Sequence, residues 1–332
     1  MARRLLDGLA EFSGPVYPVN PNHREIGGRP CYPSLSELPG PAELVLVMVP
    51  AQRVPSVVAE ARCCGAAWLV LFSSGFAETG AGGRRLQEDV LAAARRNGMR
   101  VLGPNCQGLI YRPTGLRATF TAAAELPAPG DSGIAYLGQS GAIGGSLLGM
   151  AADRGLGLTA WLSLGNQADL TVAEAAGQLC TDPRIEVLAC YLEELPPGSE
   201  WQELTTRAAA HGKRIVVLRS GRSRAGQRAA AAHTGALVRS GTAFDLLTRE
   251  SGAVLVEDLD ELLDTAVALT RCSCPPGARI GVVTSSGGAG SLAADQAGDH
   301  GMRVPEFDAE TRAALQPLIP PFGSTANPVD VT

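Results

Sequence analysis

Residues 134–150 read IAYLGQSGAIGGSLLGM, and this order of apolar and small residues indicates the fold class of the chain. The apolar run at 134–138 predicts a buried strand, and the pattern from Gly141 onward predicts a helix that ends near residue 154. A strand joined to a helix by a glycine turn is one half of a βαβ unit. Because the first amides of such a helix have no partner within it, the turn favours a bound anion. The stretch therefore predicts an α/β fold with an anion-binding loop at the carboxyl edge of a parallel sheet.

The same alternation of strand and helix patterns extends along the chain. Further nearly continuous apolar strands are predicted at 43–49, 67–72, 158–164, 187–191, 214–219 and 279–286. Further helices are predicted near 53–64, 84–97, 170–180, 200–211, 240–251 and 288–300, and a short amphipathic helix at the start of the chain. Strands that are apolar along their whole length are typical of parallel sheets covered on both faces. We therefore expect doubly wound α/β domains.

Two segments rich in proline and glycine suggest domain boundaries. ELPAPGDSG at 125–133 and CSCPPGAR at 272–279 divide the chain into 1–125, 126–273 and 274–332. The last part is too short to close a doubly wound sheet, and the first begins without the usual strand and glycine loop. We therefore expect a fragment of a larger protein, or a chain with a misassigned start.

The composition excludes several classes of protein. The 332 residues carry a net charge of −5, which gives no electrostatic footprint for nucleic acid. No apolar run reaches the roughly 18 residues that a membrane span needs. The eight cysteines lack the paired CxxC spacing of a zinc site, so we expect free thiols in a cytoplasmic protein and no metal site. Neither a Walker phosphate loop nor the NAD fingerprint is present, so an NAD-dependent oxidoreductase is supported by the fold class alone.

Three loops that follow predicted strands have the residues of an anion site. The first contains Gln139, Ser140 and Gly141, and the second, in LSLGNQADL, contains Gly165 and Asn166. The third loop, in TSSGGAGSLAADQ at 284–296, has the same design. Three such loops in one chain indicate that phosphate or a carboxylate is bound.

One of the four histidines has an unusual setting. His233 lies in AAAAHTGALVRSG at 229–241, where small residues leave the imidazole accessible, whereas the other three fit helix ends or a polar turn. Glu193 and Glu194 follow a predicted strand. A carboxylate bonded to one imidazole nitrogen fixes the tautomer and makes the other nitrogen a better nucleophile. Either glutamate would suit this role.

Eight segments follow one another along the chain in a distinctive order. They are YPVNPNHREIGGRPCYPSLSELP, VPAQRVP, LGPNCQGLI, GQSGAIGGSL, LGNQAD, YLEEL, AAAHTGAL and NPVD. In this order they resemble the CoA-binding portion of nucleoside-diphosphate-forming acyl-CoA synthetases, which are the ADP-forming acetate–CoA ligases and their relative, the succinyl-CoA synthetase α subunit. The resemblance covers essentially the whole chain. It implies a Rossmann-like CoA-binding domain at 1–125, a flavodoxin-like, succinyl-CoA synthetase-like domain at 126–273, and the start of a second flavodoxin-like domain at 274–332.

The resemblance also implies an activity and its residues. Acyl-CoA and phosphate give an acyl phosphate, which phosphorylates a histidine, here His233, and the phosphoryl group then passes to ADP. Glu193 would orient the imidazole, although the family more often has glycine at the position of Glu194. The resemblance places phosphate and the acyl group at Gln139–Gly141 and at Gly165–Asn166.

The resemblance places CoA beside Pro50, Ala51 and Gln52, and beside Asn105 and Cys106. Cys106 is not expected to be a nucleophile, because the family also accommodates serine there. ATP or ADP with Mg²⁺ would bind to an ATP-grasp domain or subunit that is a separate partner, and we expect an oligomer. The family's first strand and glycine loop are absent ahead of residue 1, and the rest of the third domain and the ATP-grasp part are absent after Thr332. We therefore expect weak CoA binding and no complete turnover by this chain alone.

A non-catalytic module that senses CoA or acyl-CoA, as in fusions to a protein acetyltransferase, is the alternative. Such modules often lose the histidine. The presence of His233 therefore favours the ligase.

Overall fold

The computed structural model describes residues 2–228, 241–272 and 276–331. The chain forms two compact units, Met1–Cys272 and Ser273–Thr332.

The α-helices in the described ranges follow in chain order, and residues 224–228 are helical as well. They are α1 (Ala2–Gly8), α2 (Val54–Ala61), α3 (Ala81–Arg96), α4 (Gly141–Asp153), α5 (Val172–Leu179), α6 (Gly198–Ala210), α7 (Thr242–Glu250), α8 (Leu259–Arg271), α9 (Gly287–Asp299) and α10 (Ala309–Leu315). None of the helices in this part of the chain is long and apolar enough to cross a bilayer.

The strands of residues 2–228, 241–272 and 276–331 fall into four sheets. They are β1 (Glu25–Ile26), β2 (Arg29–Pro30), β3 (Leu44–Val47), β4 (Trp68–Leu71), β5 (Arg100–Leu102), β6 (Gly108–Tyr111), β7 (Leu116–Thr119), β8 (Ile134–Gly138), β9 (Ala160–Ser163), β10 (Val187–Leu192), β11 (Arg214–Arg219), β12 (Val254–Val256), β13 (Val283–Thr284) and β14 (Val329–Asp330).

Unit Met1–Cys272 is built on one parallel sheet and one larger, mostly parallel sheet. The smaller has the order β3-β4-β5, and α2 and α3 cover it with an apolar core that includes Val54, Val58 and Val90. The larger has the order β12-β11-β10-β8-β9-β6-β7, in which the first five strands are parallel. The predicted α/β fold class is thus confirmed.

The edge of the larger sheet differs from the all-parallel expectation. β6 pairs antiparallel with β9, and β7 pairs antiparallel with β6. This hairpin precedes the linker at 125–133 in sequence, yet it extends the sheet formed by the residues that follow the linker. Its strands, GLIY and LRAT, have four residues each and are only half buried, as suits an edge, and they therefore give no long apolar run.

The glycines of the 134–150 stretch allow α4 to lie close to the sheet. A Cβ on Gly144 would stand 3.1 Å from both Tyr136 and Trp161, whose stacked rings lie under the helix with centroids 6.5 Å apart. The indole nitrogen of Trp161 donates a 2.9 Å hydrogen bond to the carbonyl of Gly144. A larger residue at position 144 would push the helix, and with it the turn at its start, away from the strands.

Unit Ser273–Thr332 contains the short parallel pair β13–β14. Ser286 begins α9, because its hydroxyl accepts from the amide of Ala289 at 3.4 Å. Asn327 is buried and ties three segments together by bonding to the amide of Val282 and to the carbonyls of Ile280 and Pro305. The cap at Ser286 shows that the third predicted loop, at 284–296, does lead into the start of a helix.

An ion-pair network joins the smaller sheet to the segment that enters α5. The guanidinium of Arg100 bonds to Asp169 at 2.7 Å and to both carboxylate oxygens of Glu174 at 2.9 Å, and it lies 5.4 Å from the centroid of the Trp68 ring. Asp169, with 7% of its side chain exposed, also accepts from the amide of Val101. Burial alone would raise the pKa of Asp169, but these hydrogen bonds outweigh it and lower the pKa.

Replacing Arg100 with methionine should therefore destabilise the unit by about 2–3 kcal/mol, because it leaves the buried Asp169 carboxylate with a reduced set of donors. Denaturant unfolding measures this loss. The matched control is Arg96→Met, at an exposed position near the end of α3, which should change the free energy of unfolding by no more than about 0.5 kcal/mol. Equal effects of the two changes would contradict the role given to the network.

A second cluster of hydrogen-bonded polar side chains stabilises the amino edge of the larger sheet. The phenol of Tyr111 and the guanidinium of Arg184 both bond to the carboxylate of Asp182, and Lys213 donates to its carbonyl. Burial alone would raise the pKa of Asp182, but the bonds from Arg184 and Tyr111 lower it from 3.8 to about 2.

Because the folded pKa lies below the unfolded one, Asp182 stabilises the fold above about pH 4 and loses that effect as the pH falls toward 2. Asp182→Asn should lower stability at neutral pH and make the acid-induced loss shallower between these values. Thermal unfolding followed over this pH range checks it. An unchanged slope in the variant would show that Asp182 is not the group that titrates.

Candidate functional site

The candidate site lies where β8 and β10 end side by side at the carboxyl edge of the larger sheet. The two strands are parallel neighbours, with Gly138 opposite Tyr191. Gln139 and Ser140 therefore follow one strand just where Glu193 follows the other. This edge is the place where open α/β sheets bind ligands.

Ser140 and Gly141 begin α4 in the way that the sequence predicts. Ser140 is the N-cap, and its hydroxyl accepts from the amide of Ile143 at 3.4 Å. Gly141 is the first helical residue, and a Cβ there would lie 2.7 Å from the side chain of Gln107. Because position 141 has no side chain, the start of α4 can pack against Gln107. The positive end of the helix then lies at the sheet edge.

Gln139 holds the loop that carries Glu193. Its side-chain oxygen accepts from the amides of Glu193 and Glu194 at 2.6 and 2.7 Å, and its side-chain nitrogen donates to the carbonyl of Glu194 at 2.9 Å. Only 8% of the residue is exposed. The sequence predicted that this residue binds phosphate, and in the structure its carboxamide contacts the backbone of the glutamate loop.

The Glu193 carboxylate has a phenol beside it. Tyr191 hydrogen-bonds to Glu193, and burial first, then the carboxylate, raise the pKa of this tyrosine. Tyr136 is fully buried, and its hydroxyl has no hydrogen-bond partner among the described residues. Burial raises the pKa of Tyr136 well above its usual value. Both phenols therefore stay protonated, and Tyr191 is a hydrogen-bond donor to the carboxylate.

The loop with Gly165 and Asn166 packs backbone to backbone against the loop after β5. Gly165 has φ +58°, and a Cβ there would stand 2.2 Å from the carbonyl oxygen of Pro104. The amide of Asn166 donates to the same carbonyl at 2.9 Å, and the amide of Ala168 donates to Gly103 at 3.1 Å. The two loops thus pack together, and we call this pair the two-loop unit. It connects the smaller sheet to the larger one.

The side chain of Asn166 is used within this unit. Its nitrogen donates to Glu78 at 2.6 Å and to Gln87 at 3.1 Å, and its oxygen accepts from Asn105 at 3.3 Å. Burial alone would raise the pKa of Glu78, but the bonds from Asn166 and from the amides of Gly75 and Phe76 lower it. Sequence reasoning missed Glu78, although its position in a glycine-rich loop after a strand was a usable signal.

The loops after β3, β4 and β5 lie together at the carboxyl edge of the smaller sheet. Pro50 precedes a short turn, Ala51–Arg53, in which Ala51 is buried and Gln52 exposed. The Ser73 hydroxyl donates to the carbonyl of Val49, and the amide of Asn105 donates to the carbonyl of Ser73 at 2.9 Å. The loops predicted for the CoA side are therefore in contact through the loop after β4.

Cys106 is enclosed behind these loops. It is 2% exposed, its thiol contacts the carbonyl of Leu71 at 3.3 Å, and burial raises its pKa to about 12. A protonated, buried thiol is a poor nucleophile. His233 lies outside the described residues. Within those residues, no group of three or more histidine, cysteine, aspartate or glutamate side chains is arranged to hold a metal ion.

Three known domain families match successive parts of the chain. Residues 1–112 match the CoA binding domain, residues 131–269 the succinyl-CoA ligase like flavodoxin domain, and residues 280–332 the Ligase-CoA domain.

Two curated relatives have similar sequences over nearly the whole chain. The α subunit of acetate–CoA ligase [ADP-forming] II of Pyrococcus furiosus is 32% identical over 324 residues, which are 97% of this chain and 69% of that protein. Acetate–CoA ligase [ADP-forming] I of Archaeoglobus fulgidus is 34% identical over 327 residues, 98% of this chain and 47% of that protein. The chain thus spans about two thirds of the α subunit and about half of the longer relative.

A solved structure has the same fold. The dinucleotide-forming acetyl-coenzyme A synthetase 1 of Ca. Korarchaeum cryptofilum, in complex with phosphate and ADP, superposes with a TM-score of 0.90 at 33% identity. The match covers 99% of this chain and 70% of that one. These comparisons confirm the resemblance seen in the eight sequence segments.

The packing at Gly165 gives a test of the two-loop unit. Gly165→Ala should destabilise the protein by about 2 kcal/mol or more, since it adds both a strained backbone and a clash with Pro104. Gly212 is the matched control, because it has φ +66° and open space around it. Gly212→Ala should cost only about 1–2 kcal/mol, from backbone strain alone. Thermal unfolding measures both, and a Gly165 effect no larger than the control would contradict the close approach.

Proposed function

The chain belongs to the family of ADP-forming acetate–CoA ligases, and we propose that it is the part of such a ligase that binds CoA and carries the phosphohistidine. The overall reaction is reversible: acid, CoA and ATP give acyl-CoA, ADP and phosphate. The three-part division at 1–125, 126–273 and 274–332 belongs to the same proposal.

In the direction of ATP formation, phosphate attacks the thioester carbonyl. A bond forms between the carbonyl carbon and a phosphate oxygen, the carbon–sulfur bond breaks, and CoA leaves as its thiol. The imidazole of His233 then attacks the phosphorus, a phosphorus–nitrogen bond forms, and the free carboxylate leaves. ADP finally takes the phosphoryl group, which breaks the phosphorus–nitrogen bond.

One observation carries the proposal: the Glu193 loop and the start of α4 meet at a single edge. A phosphohistidine needs positive potential for the phosphoryl group and a carboxylate for the second imidazole nitrogen. The start of α4 supplies the first at Ser140 and Gly141. Glu193, held beside that start by Gln139, supplies the second. We assign Glu193 rather than Glu194 to this role because Tyr191 bonds to it.

The first domain suits CoA. The carboxyl ends of β3, β4 and β5 bring Pro50, Ala51 and Gln52 close to the turn at Asn105 and Cys106. Gly103 and Asn105 both have positive φ, the left-handed geometry that glycine adopts without strain, and the chain turns sharply at this edge. In our proposal, CoA lies along these loops as an elongated ligand. We propose that its thioester end reaches the unit of Gly165 and Asn166.

A separate ATP-grasp domain or subunit would complete the enzyme. The relatives include an enzyme named as an α subunit, and the Korarchaeum structure contains ADP and phosphate. In our proposal, ADP or ATP binds with Mg²⁺ on that partner, and the His233 loop carries the phosphoryl group between the two sites.

Labelled ATP tests the proposal. With a purified ATP-grasp subunit and [γ-³²P]ATP, the wild-type chain should acquire a label that is labile in acid and stable in base. His233→Ala should lose the label. The matched control is His211→Ala, since His211 ends α6 with its ring bonded to the carbonyl of Arg207 at 2.9 Å, and it should label like the wild type. A label that persists in His233→Ala would reject the assigned role.

A further inference from the structure

Gln139 is the residue whose role the structure changes most. We propose that it is a positioning residue, which fixes the Glu193 carboxylate relative to the start of α4 and does not itself bind phosphate. The inference rests on the proposed function, because it concerns how the carboxylate is aimed at His233.

The hydrogen bonds of Gln139 use both ends of its carboxamide. One oxygen accepts two successive backbone amides, those of Glu193 and Glu194, and the nitrogen returns a bond to the carbonyl of Glu194. A carboxamide is the one common uncharged group that offers an acceptor and a donor at this spacing. The loop is therefore folded around the side chain, and its geometry depends on the position of Gln139.

The position of Gln139 is in turn set by the sheet and by α4. Its amide donates to the carbonyl of Tyr191 at 3.3 Å, which continues the pairing of β8 with β10. The next residue, Ser140, is the N-cap of α4. Gln139 thus links the loop that carries Glu193 to the start of α4. These two segments therefore cannot move independently of each other.

Burial makes this link rigid. Gln139 is 8% exposed, so its carboxamide is largely withdrawn from solvent where it binds the loop. If the side chain lost its polar atoms, two amides and one carbonyl would have to find water or a new loop conformation. Glu193 would then shift relative to α4. A displacement of about 1 Å in a catalytic arrangement can reduce the rate about a hundredfold.

The experiment measures the rate of labelling of His233 from [γ-³²P]ATP and the purified ATP-grasp subunit. The variants are Gln139→Met, Glu193→Gln and the double variant, with Gln202→Met on the exposed face of α6 as the matched control. We expect Gln139→Met to label about a hundredfold more slowly than the wild type. The control should label at the wild-type rate.

The double variant distinguishes positioning from a general structural effect. If Gln139 acts through Glu193, the double variant should label no more slowly than Glu193→Gln alone, because the group that is positioned has already been removed. If the double variant instead labels more slowly than Glu193→Gln, by the product of the two single reductions in rate, Gln139 acts on the reaction by another route. The inference would then be wrong.

A second substitution covers the case in which methionine impairs folding. Gln139→Asn keeps the carboxamide but shortens its reach by one methylene, so the chain should still unfold in one cooperative transition and label roughly tenfold more slowly than the wild type, or slower still. Labelling at the wild-type rate in this variant would overturn the inference while leaving the proposed function in place. A wild type that acquires no label would reject the proposed function, and this inference with it.

Discussion

The pairing of β8 with β10 is the constraint on which the site depends. These strands are neighbours in the sheet although β9 lies between them in the chain, and they end at the same level. β8 continues into α4, and β10 continues into the loop that carries Glu193. A helix start has positive potential and a carboxylate is negative, so the two can stay adjacent without repulsion. The backbone hydrogen bonds of the sheet keep them in place before any ligand arrives.

The second constraint is the close contact of the loops after β5 and β9. Gly165 lies directly against the carbonyl of Pro104, and Asn166 bonds across to Glu78 and Asn105. Further from the edge, Arg100 and Asp169 join the same two regions. The edge of the smaller sheet and the edge of the larger one are therefore held at a fixed separation.

The sequence predicted the main elements because each depends on a local pattern. The strands at Ile134–Gly138 and Arg214–Arg219 have the predicted bounds, since each contains an uninterrupted run of buried apolar residues. β5 and β12, with three residues each, are too short to give a signal, and α8 was not expected. The antiparallel hairpin was missed because its strands are only four residues long and one of them, LRAT, contains arginine and threonine.

The site was predicted in outline and not in its contacts. The rule that parallel sheets bind ligands at their carboxyl edge selected the Gln139 loop, the Gly165 loop and Glu193, and the structure brings the first and last together. Which side chain bonds to which depends on the order of strands in the sheet, which no single stretch of sequence encodes. Sequence reasoning therefore gave Gln139 and Asn166 to phosphate, whereas their side chains bond to the protein. His233 lies outside the described residues, so its role stays a prediction.

The burial of Cys106 has a consequence for an enzyme that would handle thioesters. Acyl groups pass readily from one sulfur to another when the receiving sulfur is ionised and accessible. At Cys106 the raised pKa removes the ionised form and the packing against Leu71 removes the access. If the chain binds an acyl-CoA as proposed, Cys106 would therefore escape acylation although it lies in the turn assigned to CoA.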